Sequence, residues 1–78
     1  MKLTLRYFGM IAEATGRTEE VLNVSDQITL YDLKDQQIKK YKIQDPEAVQ
    51  LAINQDLNLK SELKEGDEVA FLPPFAGG

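Results

Sequence analysis

The chain has 78 residues with 42% hydrophobic and 28% charged side chains and a net charge of −4. That length holds one core and one domain, and the acid excess disfavours nucleic acid and anionic membrane surfaces as partners. It has no Cys and no His, which excludes disulfides, thiol nucleophiles, Cys or His zinc sites and every His-based triad.

Residues 2–8 alternate, with Leu3, Leu5 and Tyr7 on one face and Thr4, Arg6 and Phe8 on the other, the period of a half-buried strand. The same alternation is unlike a signal peptide, no apolar run approaches a bilayer span, and a cytoplasmic location is the expectation. Gly9 breaks the strand. Met10, Ile11 and Ala14 then recur at helical spacing as far as Gly16, predicting a helix of one or two turns with a left-handed stop. A second strand is predicted over residues 18–24, with Leu22 and Val24 in phase, pairing with the first.

Thr29 with Asp32 three residues on forms a weak capping box. It opens the main helix, whose core side carries Leu30, Leu33, Ile38 and Tyr41 and whose wet side carries Asp32, Asp35, Gln36 and Lys39. Asp45 and Pro46 close the segment that follows. Val49, Leu51 and Ile53 alternate as a third strand, and residues 54–56 read as its turn. A turn over residues 64–67 with Gly66 at positive φ precedes a last strand, Glu68 to Leu72. Glu62, Glu65, Asp67 and Glu68 crowd this approach with only Lys64 opposing them, as a solvated turn, a docking patch for a basic protein surface, or both. The order predicts an α+β fold, a ubiquitin-like β-grasp whose mixed sheet packs on one main helix.

After Leu72 the chain reads Pro73, Pro74, Phe75, Ala76, Gly77 and Gly78. Two prolines cannot donate to a ladder, so the sheet should release residues 73–78 as a flexible C-terminal tail with a stiff, extended start. Six extended residues reach roughly 20 Å. The side-chain-free Gly77 and Gly78 can thread a narrow channel and bring the terminal carboxylate to another protein's catalytic groups. A free carboxylate is a poor electrophile, so it needs activation, for which adenylation by ATP is the expectation. A sulfur nucleophile would then leave a thiocarboxylate at Gly78. On this reading the chain is a substrate rather than a catalyst, with no metal and no permanently bound cofactor.

The stretch from Gly66 to Gly78 is similar to the closing segment of molybdopterin synthase small subunits, sulfur carriers of ubiquitin-like fold. The opening strand with its small helix to Gly16, and residues 53–57, extend the resemblance over nearly the whole chain. The resemblance implies adenylation of Gly78 by an E1-like activating enzyme, conversion to a thiocarboxylate, and insertion of the tail into a large subunit, in a heterotetramer of two small and two large subunits. There the sulfur would pass to cyclic pyranopterin monophosphate to form the molybdopterin dithiolene. It also implies partner contacts from Phe8, Leu57 and Leu72, forming an apolar patch beside the tail, and from Pro73, Pro74, Phe75 and Ala76 within it. Phe75 stands where the family more often has a small β-branched residue, and Ala12 where arginine is frequent. These departures bear on the tail's fit in its channel and on a surface contact. A tungsten-pterin variant, a cysteine- or tRNA-directed carrier of the same family, a thiamine-pathway sulfur carrier and a ubiquitin-like modifier or binding module are the alternatives.

Overall fold

The computed structural model describes residues 1–57 and 62–74. Its strands are β1 (Lys2–Tyr7), β2 (Glu19–Asn23), β3 (Gln50–Ile53) and β4 (Glu68–Leu72), and its helices α1 (Gly9–Thr15) and α2 (Leu30–Tyr41), with a 3₁₀ turn at Pro46–Ala48. Among the described residues the strands form one mixed sheet in the order β2, β1, β4, β3. β1 pairs antiparallel with β2 and parallel with β4, while β3 pairs antiparallel with β4. This is the β-grasp that the element order implies, with α2 across one face.

Period-2 alternation sorts β1 and β4 between the two faces. Leu3, Leu5, Tyr7, Val69 and Phe71 are buried with Leu30 and Leu33 of α2 in a single core. Thr4, Arg6, Ala70 and Leu72 lie on the face away from α2 and are only partly covered. Thr29 caps α2 as expected, its hydroxyl accepting from the Asp32 amide at 3.0 Å. At the other end Lys42 takes a left-handed conformation, and the Ile43 amide donates to the Ile38 carbonyl at 3.0 Å.

Two helix faces differ from expectation. In α1 the buried residues are Ile11 and Thr15, while Met10 is 58% exposed and Ala14 is exposed. The helix starts from Phe8 as its cap, which turns the i, i+4 pair Ile11 and Thr15 inward. Thr15 is tolerated there because its hydroxyl donates to the Ala12 and Arg17 carbonyls. In α2, Gln37 is fully buried and Ile38 sits at the rim. Gln37 donates to the Tyr7 hydroxyl at 3.0 Å, and the Tyr7 and Tyr41 hydroxyls both donate to Glu20. A polar knot therefore joins β1, β2 and α2 at one edge of an otherwise apolar core.

Residues 53–56 make a tight hairpin turn. The Ile53 and Asp56 amides and carbonyls exchange bonds at 3.0 and 2.9 Å, and Asn54 and Gln55 both adopt positive φ, 51° and 69°, the backbone of a type I′ turn. The Asn54 side chain then ties this turn to the β4 approach, donating to Asp67 and accepting from the Glu68 amide, both at 3.0 Å.

Candidate functional site: the sheet end that carries the tail

The tail leaves from β4, an interior strand of the sheet, so its exit is held from both sides. The Phe8 amide donates to the Phe71 carbonyl at 3.3 Å. In a parallel ladder with Tyr7 opposite Phe71, the next donor would be the amide of residue 73, aimed at the Phe8 carbonyl. Proline has no such donor, and the Phe8 carbonyl is already occupied by the Ile11 and Ala12 amides at 3.1 and 3.4 Å. Ladder and helix thus agree on where β4 must end. β4 ends at Leu72 as the sequence implies; Pro73, the next residue, is half-buried and Pro74 is exposed. Phe75, Ala76, Gly77 and Gly78 lie outside the described residues.

Phe8 follows directly on β1, as Leu72 ends the neighbouring β4, in the next step of the same register. Phe8 is 40% exposed, Leu72 is half-buried, and Val21 opposite Thr4 on β2 is 60% exposed. Leu57 is 56% exposed and lines an open groove with Leu30, Tyr31, Val49 and Leu51. Gln50, the ladder partner of Leu72, also borders that groove. Phe8 and Leu72 are therefore neighbours in register at the tail's exit, whereas Leu57 follows the turn at the other end of β3 and lines a groove on the α2 side, apart from them.

The sequence reading placed Arg6 on this face without giving it a role. Its guanidinium lies 5.7 Å from the centre of the Phe8 ring and within 4.0 Å of Glu19 and 3.8 Å of Glu68. Such a contact over a ring face is attractive and makes Phe8 part of a mixed apolar and charged surface. The signal was present in the period-2 phase that puts Arg6 and Phe8 side by side. This end of the molecule sets the first residues of the tail beside the exposed Phe8 ring and the half-buried Leu72.

The ThiS family model matches residues 5–78. The chain is 39% identical to the molybdopterin synthase sulfur carrier subunit of Mycobacterium tuberculosis, over the whole of this chain and 99% of that one. Its structure superposes on one chain of the complex of subunits 1 and 2 of the Helicobacter pylori molybdopterin-converting factor with a TM-score of 0.69 and 30% identity, both chains covered in full. Small archaeal modifier protein 1 of Haloferax volcanii, at 21% identity and a TM-score of 0.78 with both chains covered in full, shares the fold. With its family model matched from β1 to the final glycine, the chain belongs to the ThiS family, together with the molybdopterin synthase sulfur carrier subunits.

Proposed function

We propose that this chain is the sulfur carrier subunit of a molybdopterin synthase, working in the cytoplasm. The observation that carries the reading is the exit of the tail from an interior strand beside Phe8 and Leu72, in a chain that resembles such carriers over its full length. An E1-like activating enzyme brings ATP to the Gly78 carboxylate. A carboxylate oxygen attacks the α-phosphorus, pyrophosphate leaves, and an acyl adenylate forms. A sulfur nucleophile then adds at the carbonyl carbon and AMP departs, leaving a thiocarboxylate in which one oxygen has been exchanged for sulfur. The charged carrier docks on a large subunit through Phe8, Leu57 and Leu72, with residues 73–78 entering its channel. There the sulfur passes to cyclic pyranopterin monophosphate, two transfers making the dithiolene. The complex of subunit 1 with subunit 2 in the H. pylori relative supports a large-subunit partner; the proposed assembly holds two small and two large subunits. This protein supplies the reacting carboxylate, and its partners supply catalysis.

The family match is compatible with a second reading, a thiamine-pathway sulfur carrier, which differs in the activating enzyme that accepts it. Intact mass after incubation with ATP, a sulfide source and either activating enzyme separates the two. A gain matching one oxygen-to-sulfur exchange at Gly78, seen only with the molybdopterin-pathway enzyme, is expected. The gain with only the thiamine-pathway enzyme would replace the first reading by the second. No gain with either, while a control carrier reacts, would leave a binding module. Deleting Gly78 should stop the gain and leave docking to the large subunit intact.

A further inference from the structure

Pro73 rests on Gly9. Gly9 opens α1 with φ of +56°, and a Cβ built on it would lie 3.0 Å from Cγ of Pro73 and 3.7 and 3.9 Å from its Cβ and Cδ. Carbon atoms pack best at about 3.5–4.0 Å, and a proline ring has no free rotor with which to retreat. Gly16 and Gly66 also have positive φ, 76° and 85°, yet a Cβ on either would meet nothing within 4 Å. Among these three glycines, only Gly9 combines the left-handed backbone with a close approach, and what approaches is the first residue of the tail.

We infer that Gly9 is a positioning residue for the tail: by leaving room for the Pro73 ring against the start of α1, it fixes the direction in which the tail leaves β4. This deepens the proposed carrier function and rests on it. The Phe8 and Phe71 bond holds the exit from below, the Gly9 seat holds it from the side, and Pro73 with its fixed φ passes that direction on to Pro74. A side chain at position 9 would push the ring outward while leaving Phe8, Leu57 and Leu72 in place. The carrier would still bind its activating enzyme, but its carboxylate would arrive misaimed, and misplacement of a reacting group by about 1 Å can cost about 100-fold in rate.

The test compares Gly9→Ala, Gly16→Ala, Pro73→Ala and the double variant Gly9→Ala/Pro73→Ala in ATP-dependent thiocarboxylation by the activating enzyme, with melting temperature measured alongside. Gly9→Ala should lower kcat by about 10- to 100-fold and leave KM for the carrier unchanged. Gly16→Ala carries the same backbone strain without the contact, so it should lose melting temperature and keep kcat. Removing the ring should restore the double variant to the kcat of Pro73→Ala alone. Should Gly9→Ala fold poorly, Gly9→Asn supplies the Cβ on a residue that tolerates this backbone better. Wild-type kcat in the Gly9 variant, or a double variant as slow as Gly9→Ala, overturns the inference while the carrier function stands. A wild-type chain that takes up no sulfur overturns the carrier reading, and the inference falls with it.

Discussion

Glu20 shows how one polar residue can organise the edge of an apolar core. Its side chain is only 7% exposed, yet it accepts from the hydroxyls of Tyr7 and Tyr41 and lies 3.3 Å from Arg17. Burial works to raise its pKa, but the two hydroxyl bonds and the charges of Lys40 and Arg17 outweigh it and hold the carboxyl below its usual range. The same pairing, after burial itself, pushes the Tyr7 hydroxyl up. A carboxyl whose folded pKa is depressed contributes stability that is present above the ordinary glutamate range and is lost as pH falls through the folded value. Glu20→Gln should therefore cost about 1–2 kcal/mol at neutral pH and flatten the acid limb of stability against pH, as denaturant unfolding at several pH values will show. An acid limb as steep as that of the wild type would mean that Glu20 does not carry this dependence. Sequence alone did not disclose the knot. Glu20 stands in phase with Leu22 on β2, and Gln37 falls on the α2 stripe between Leu33 and Tyr41, but hydrophobic periodicity assigns faces by apolar residues and passes over polar ones that find partners inside.

At the scale of elements, local chemistry was most legible where a terminus or turn has few solutions. The Thr29 cap, the Gly16 stop, the Gly66 turn and the bounds of β4 all follow from residue types with narrow backbone preferences. Thr29→Ala should lower stability by about 1 kcal/mol, equivalent to about 4–8 °C in melting temperature for a domain this small. The turn after β3 was legible as a turn but not as a strained one, because Asn54 and Gln55 need positive φ and only Asn suits it. Gln55→Gly should relieve about 1–2 kcal/mol of left-handed strain and give back about 0.4–1 kcal/mol through a freer unfolded chain. The expected result is a small net rise in melting temperature, and a fall would show that the Gln55 side chain contributes contacts of its own. The short α1 was the least legible element, since in a seven-residue helix one step of phase decides whether Met10 or Ile11 faces inward.

For the whole molecule, the division of labour is between a closed core on the α2 side and a surface at the tail's exit that remains open. Under the proposed function, Phe8→Ala and Leu72→Ala should each weaken binding to the large subunit by more than about 1 kcal/mol, about fivefold in Kd. Both should leave the circular dichroism spectrum unchanged, since neither belongs to the buried core. Titration calorimetry with the purified subunit decides it, and wild-type affinity in both variants would move the docking surface elsewhere. The tail motif and the strand phases made this end of the molecule legible in sequence, whereas the seating of Pro73 was not, because it depends on two residues 64 positions apart meeting across a parallel pair. That pairing also bears on how the chain is made. The first strand finds its parallel neighbour only in β4, so on the ribosome the sheet lacks its middle until Glu68–Leu72 has emerged. Closing so long a loop slows folding. It also means that the sheet is completed only by the strand from which the tail departs, so a chain cut short before Glu68 lacks the pairing that holds the tail's exit.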